Sequence, residues 1–330
     1  MTGFSILIAV YNAAPFLEAC LQSLQSQTME GWEAICIDDC STDGSRDILQ
    51  RYADNDARFT VLQTPVNSGQ AVARNLGLSR AAGEFTLMLD ADDYLAPDAL
   101  ECLWEAHEAH AEVDAMLFNL TKVWEDGREI AWTWPDGRRL LTGKEAGLLS
   151  IDWRIHGCFA LRTELHREYP YDTTFRVYSD DTTSRIQLFK SRQVALCEGT
   201  YYYRQHESSA THRFSLRRLD FVDANRLLSR KLEKLSVGPE GLSRCEDMAW
   251  KIFVGVYREF YVQRRNLSAA EREQMDRRLE QAWKAMHPER ISGALKRIPA
   301  YFFLPTYKGF TCWQALLLGV KRLLKGGRPG

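Results

Sequence analysis

No apolar stretch in the chain approaches the ~20 residues that a membrane span needs, so no transmembrane helix is expected. Positive charge is not in excess. The 42 Lys and Arg stand against 44 Asp and Glu, a formal net charge of −2, which argues against a nucleic-acid-binding protein. Eight cysteines, at positions 20, 36, 40, 102, 158, 197, 245 and 312, include no Cys-x-x-Cys pair. A zinc site is therefore not expected, and a reduced, cytosolic protein is. No signal peptide is expected either, because Phe4-Ser5-Ile6-Leu7-Ile8-Ala9-Val10 reads as a strand almost from the start. Internal repeats, low-complexity segments and an obvious linker are all lacking.

What remains is ordinary soluble material: 330 residues, 45% hydrophobic and 26% charged, enough for one large or two small domains. The first hundred residues alternate strand and helix. Strand 4–10 is followed by a helix over 14–27, strand 33–37 by a helix over 46–55, and strand 59–63 by a helix over 70–82; strand 85–89 closes the series. This alternation implies a mostly parallel sheet flanked by helices, a Rossmann-like α/β arrangement. Asp126-Gly127 and Asp136-Gly137 are turn signals in a hairpin-like stretch beside Trp124, Trp132 and Trp134. From about Phe214 the pattern is helical. The expected division is an α/β region over 1–213, its halves about 1–95 and 96–213, and a helical region over 214–330.

Three pairs of adjacent acids carry most of the chemical information: Asp38-Asp39, Asp92-Asp93 and Asp180-Asp181. The first two follow short apolar runs, Glu33–Ile37 and Phe85–Leu89, that read as strands buried on both faces. Their acids then stand at the carboxyl edge of the sheet, where open α/β sheets place ligands. Like charges crowded at one edge repel, and a bound cation or hydrogen-bonded ligand relieves that cost. Asp90-Ala91-Asp92 is an Asp-x-Asp that can hold Mg2+ or Mn2+ against a diphosphate, or cap a strand end. Asp38 and Asp39 can cap the following turn, or one of them can accept a hydrogen bond from a base N–H. Asp180-Asp181 precedes a likely helix over 182–191 and can serve its dipole or supply a general base.

Taken together, these segments resemble the family 2 glycosyltransferases, inverting enzymes of the GT-A fold that use nucleotide sugars. The resemblance rests on Val10-Tyr11-Asn12, Ile37-Asp38-Asp39-Cys40-Ser41-Thr42-Asp43-Gly44-Ser45, and Asn67-Ser68-Gly69 followed by Ala73-Arg74-Asn75-Leu76-Gly77. Ala82-Gly83-Glu84 and Leu89-Asp90-Ala91-Asp92-Asp93 complete it, in the family's order over about the first hundred residues. The resemblance implies that Tyr11 and Asp39 hold the base, usually uracil, with Asn67, Arg74 and Asp90 near the nucleotide. It implies that Asp92, helped by Asp90, holds Mg2+ or Mn2+. Asp181 is implied as the general base, with Asp180 standing where the family usually has glutamate. Tyr201-Tyr202-Tyr203-Arg204 with His206, Ser208, Ser209 and Thr211 resembles the segment that closes the family's catalytic domain.

The implied partners are a nucleotide-sugar donor, UDP-linked, and a glycan or lipid-linked glycan acceptor in cell-surface polysaccharide assembly. Two alternatives remain: a sugar-phosphate nucleotidyltransferase and a non-catalytic nucleotide-sugar-binding protein. The first wants a glycine-rich basic loop after the opening strand, where this chain has Tyr11-Asn12-Ala13-Ala14-Pro15. The last forty residues, from Ile291, hold seven Lys or Arg and no acid. Within them 311–325 reads as an amphipathic helix with Trp313, Leu316, Leu317, Val320 and Leu324 apolar. That helix either docks on its own domain or lies on an anionic membrane surface, which would make a cytoplasmic protein peripheral to the inner face of the cytoplasmic membrane.

Overall fold

The computed structural model describes residues 2–132, 134, 137–175, 178–206 and 218–326, without the side chains of 179, 181 and 321–326. Asp136, Ser208, Ser209, Thr211 and Phe214 lie outside the described residues. The chain forms two compact units, Met1–His212 and Arg213–Gly330.

In the first unit, β1 (Phe4–Val10), α1 (Ala14–Gln25), β2 (Trp32–Asp38), α2 (Ser45–Asn55), β3 (Phe59–Gln63), α3 (Gln70–Leu78) and β4 (Phe85–Met88) follow in turn. Next come β5 (Tyr94–Leu95), α4 (Ala99–Ala109), β6 (Val113–Trp124), β7 (Glu129–Ala131), β8 (Leu140–Thr142) and α5 (Gly143–Ile151). The unit closes with β9 (Phe159–Arg162), α6 (Thr163–Glu168), α7 (Ser179–Lys190) and β10 (Gln193–Gln205). They build one sheet in the order β3-β2-β1-β4-β9-β6-β10-β5, with β7 on β6 and β8 on β10. Strands β3, β2, β1 and β4 are mutually parallel, and β6 is parallel to β10. β9 runs antiparallel between β4 and β6, so the sheet is mostly parallel with one reversed strand at its centre.

The apolar runs are continuous because both faces are covered. Ile6, Ile8, Ala34 and Cys36 enter one core with Leu17 and Leu21 of α1. The alternate residues Leu7, Ile35 and Ile37 enter another with Ala73 and Leu78 of α3. Period-two alternation thus sorts side chains between two cores rather than between core and water. Gly83 is where the chain crosses under β1. A Cβ there would sit 2.6 Å from the Ser5 nitrogen, so no larger residue fits. None of the eight cysteines forms a disulfide.

The second unit holds α8 (Arg218–Lys234), α9 (Gly238–Gln263), α10 (Ala269–Lys284), α11 (Gly293–Lys296) and α12 (Tyr307–Gly326). Ser268 and Glu271 form the expected capping box at the start of α10. α12 is docked at its start: Phe310 is fully buried among Trp250, Phe253 and Tyr257, and Gln314 is fully buried. Arg258 Nε donates to Gln314 Oε1 at 2.9 Å, and Gln314 Nε2 donates to Ala300 O. Trp313 stacks on Phe302 and donates from Nε1 to Pro299 O at 2.7 Å. Leu316 and Val320 remain exposed, at 58% and 46%. Among the described residues no helix is long and apolar enough to cross a membrane.

Candidate active site

The carboxyl ends of β1, β2 and β4 converge as sheet geometry requires. After β1, Tyr11 is half exposed and Asn12 adopts a left-handed conformation, φ 51°. The Asn12 side chain accepts from Thr42 N at 2.7 Å, and Ala14 N donates to Asp43 Oδ2, so this loop is tied to the turn after β2. At that turn Asp38 Oδ1 accepts from Ser41 N at 3.0 Å, the capping role open from sequence, while its buried Oδ2 has no partner.

Asp39 is 3% exposed and accepts three hydrogen bonds from the loop before α3. Thr64 Oγ1 and Ser68 N donate to Oδ1 at 2.7 and 2.8 Å, and Gly69 N donates to Oδ2 at 2.7 Å. Gly69 reaches it with φ 90°, a conformation that favours glycine. Asp39 therefore shapes the loop that carries Asn67. One lone-pair position of the four on a carboxylate remains for a ligand.

After β4 the chain turns tightly, Asp93 N donating to Asp90 O at 3.0 Å. Asp90, Asp92 and Asp93 bring carboxylate oxygens within 4.8 Å of one another. The three are not equivalent. Asp93 is fully buried, and both of its oxygens are engaged: Tyr201 Oη donates to Oδ2 and Arg204 N to Oδ1, each at 2.8 Å. Its carboxyl is pushed well above the usual range by loss of hydration, then by Asp90 and Asp92. Asp90 accepts from Arg74 Nη2 at 2.5 Å. Loss of hydration raises Asp90 to about 6 against the pull of Arg74, with Asp92 and Asp180 adding repulsion. Asp92 Oδ2 lies 2.9 Å from His206 Nε2, and the His206 ring packs on Phe16 at 4.2 Å.

Arg74 is 1% exposed, lies over the Tyr171 ring at 5.4 Å, and leaves Nε and Nη1 without partners. Arg204 projects its guanidinium between Phe16 and Tyr94, at 5.4 and 5.2 Å from the ring centres, with no ion pair among the described residues.

The expected helix at 182 starts three residues earlier. Tyr178 takes a left-handed conformation, φ 65°, and α7 opens at Ser179, so positions 180 and 181 fall in its first turn, where the helix dipole is positive. Asp180 is close enough to Asp90 and Arg74 to influence both. The Asp181 side chain lies outside the described residues; its backbone stands beside Asp180 in that turn.

The structure thus gathers Asp90, Asp92, Arg74 and Asp180 at one place. Tyr11, Asp39 and the Asn67 loop lie at the adjoining ends of β1 and β2. Sequence reasoning did not assign roles to His206, Tyr201, Arg204 or Phe16. The one signal was that Tyr201–His206 ends a strand and combines ring and cationic residues, but the acids it meets are about a hundred positions away.

The profile of the family described as Glycosyl transferase family 2 matches residues 5–170, half of the chain. The chain belongs to this family. It is 33% identical over 224 residues to the putative glycosyltransferase EpsH of Bacillus subtilis, covering 64% of this chain and 63% of that protein. It is 46% identical over 105 residues to the putative teichuronic acid biosynthesis glycosyltransferase TuaG of the same organism, covering 31% of this chain and 42% of that one. The chain therefore spans less than two thirds of the length of these relatives. Among solved structures it is similar to S. aureus TarS 1–349 in complex with UDP-GlcNAc, with a TM-score of 0.66 at 19% identity over 87% of this chain and 82% of that one. That likeness bears on the fold, which is the GT-A arrangement expected from sequence.

For a family 2 chain the donor set fits a hard divalent cation. Asp92 Oδ1 and Asp90 Oδ2 are carboxylate oxygens without a described partner, and Mg2+ or Mn2+ takes such ligands together with phosphate oxygens. Asp93 is less suited, since it is fully buried and each of its oxygens already accepts a hydrogen bond within the protein.

Proposed function

We propose that the chain is an inverting glycosyltransferase that moves a sugar from a nucleotide-linked donor, UDP-linked, to an acceptor hydroxyl in cell-surface polysaccharide assembly. The observation that carries this reading is the convergence of Asp90, Asp92 and His206 with Asp180 of α7. Family membership supports the reaction class. The relatives named for polysaccharide pathways support the setting, and the UDP-GlcNAc complex of TarS supports a uridine donor.

In this reading Tyr11 stacks on the base. Asp39 accepts the uracil N3–H with its remaining lone pair, and Asn67 and Arg74 border the nucleotide. Asp92 and Asp90 hold the cation, with His206 orienting Asp92. A bound cation supplies charge neutralisation at the departing diphosphate. Arg204, clamped by two rings, adds a pre-oriented positive charge on the same side. Asp181, or Asp180 beside it, takes the proton from the acceptor hydroxyl as that oxygen attacks the anomeric carbon from the face opposite the leaving group. One displacement inverts the configuration.

The catalytic domain is assigned to 1–213, with donor contacts before about 95 and acceptor contacts after it. The 214–330 region is assigned a supporting and targeting role. Leu316 and Val320 are exposed beside the basic end of α12, and we assign them to contact with an anionic membrane surface on the cytoplasmic side. Trp313 is not assigned to that contact, since Phe302 and Pro299 already engage it.

Calorimetry with UDP and GDP, each with Mn2+ or with EDTA, tests the core of the reading. Tight UDP binding that needs the cation is expected, with GDP much weaker. Cation-independent binding, or a preference for GDP, would refute it.

A further inference from the structure

A small, partly enclosed cavity lies between β4, β9 and α7, with room for about one water molecule. Thr86, Met88, Phe159, His166, Ser184 and Gln187 are among its walls. Of its polar side chains, His166 and Gln187 are each only 2% exposed. His166 Nδ1 lies 2.7 Å from Thr86 Oγ1, while Nε2 has no partner. Gln187 Nε2 donates to Tyr169 O at 2.8 Å, and its Oε1 accepts no hydrogen bond among the described residues.

The distances allow either His166 tautomer: Thr86 Oγ1 can donate to His166 Nδ1 at 2.7 Å, or accept from it while donating to Leu161 O at 3.4 Å. We place the hydrogen on the shorter contact. His166 Nδ1 is then the acceptor and Nε2 carries the proton. Burial, then the positive charge of Arg74, keeps the ring neutral, its pKa lowered to about 3. On the other wall Ser184 Oγ donates to Asp180 O at 2.8 Å, so toward the cavity it presents a lone pair.

We infer that one resident water occupies this cavity, accepting from His166 Nε2–H and donating to Gln187 Oε1 and Ser184 Oγ. Three polar partners are what buried waters typically have. A wholly apolar cavity of this size would stay dry; this one has a donor on one wall and two acceptors on the other. The water ties β4, through Thr86 and His166, to α7, through Gln187 and Ser184. It therefore fixes the spacing between the strand that ends in Asp90–Asp93 and the helix that opens with Asp180.

A high-resolution crystal structure of the full chain, read with 15N NMR of its histidines, is the direct test. One ordered water within hydrogen-bond reach of His166 Nε2 and Gln187 Oε1, with His166 protonated at Nε2, is expected. A dry cavity, or His166 protonated at Nδ1, overturns the inference. Gln187→Leu removes the acceptor and fills the space. In that variant the water should be gone, and amide exchange across the first turn of α7 should quicken by about tenfold. Unchanged exchange overturns the coupling to α7. Ser184→Ala, which removes one acceptor and leaves the volume, should keep the water in place with weaker density; complete loss of the protein's fold in Gln187→Leu leaves this second variant to decide.

Discussion

His206 Nε2 meets Asp92 Oδ2 at 2.9 Å, joining two residues 114 positions apart. The imidazole is packed on Phe16, so it holds one carboxylate oxygen and leaves the other without a described partner. His206→Ala is expected to weaken Mn2+ binding about 10- to 100-fold, the usual worth of an orienting partner, and to weaken UDP with it. Asp92→Asn should abolish cation-dependent UDP binding. Manganese titration followed by electron paramagnetic resonance measures both, and equal affinities in wild type and His206→Ala would remove His206 from the site.

The two acids opening α7 separate by kinetics. Asp181→Asn is expected to lower transfer by roughly 10²–10⁴ while leaving UDP affinity intact. Asp180→Asn should act differently, because Asp180 adds to the negative charge around Asp90; its removal should weaken cation binding. A reversed outcome, with turnover lost only in Asp180→Asn, would transfer the base role to Asp180.

Two buried histidines predict acid sensitivity. Burial lowers His166 to about 3 and His156 to about 4, from an ordinary 6.5. Below pH 6.5 the unfolded chain gains protons at these positions that the folded chain refuses, so stability rises with pH in that range. The loss on acidification begins near 6.5 and continues toward 4, at up to about 1.4 kcal/mol per pH unit for each histidine. Urea midpoints at pH 7.5 and 5 should show it, and His156→Gln, which keeps an amide donor for Phe118 O, should flatten the slope.

The C-terminal helix yields a vesicle test. Ending the chain at Glu289 would strip Ile291, Leu295 and Phe310 from the second unit's core, so truncation reports on folding. Leu316→Glu with Val320→Glu changes only exposed positions. The full chain should sediment with anionic vesicles and be released by salt, and the double variant should stay in solution. Identical sedimentation of the two proteins would make α12 purely structural.

Much of the donor side was legible. Buried parallel strands read as unbroken apolar runs, and acids that end such runs have only the sheet edge to occupy, as Asp38, Asp39, Asp90 and Asp92 do. Boundaries were less so: α7 begins at Ser179 rather than near 182 because Tyr178 can hold a left-handed turn, which side-chain periodicity does not reveal. Long-range pairings were not legible at all. Nothing local to His206 says that it meets Asp92, nor that Tyr201 spends its hydroxyl on Asp93. α12 shows the same limit. Its amphipathic pattern suits both docking and surface contact, and nothing local shows that Gln314 is buried between Arg258 and Ala300.

The hydroxyl of Tyr201 both accepts from Asp90 N and donates to Asp93, and Arg204 N completes that carboxylate. The acid turn is therefore braced by the last strand of its unit to be synthesised. A ribosome releasing this chain exposes the Asp-x-Asp sequence early, with its carboxylates mutually repelling and unsupported. It becomes a defined pocket only after another hundred residues have emerged and β10 has threaded in beside β6. The first ninety-five residues, although they carry nearly every motif, do not amount to a portable nucleotide-binding module, and a fragment ending after β5 should bind neither cation nor nucleotide.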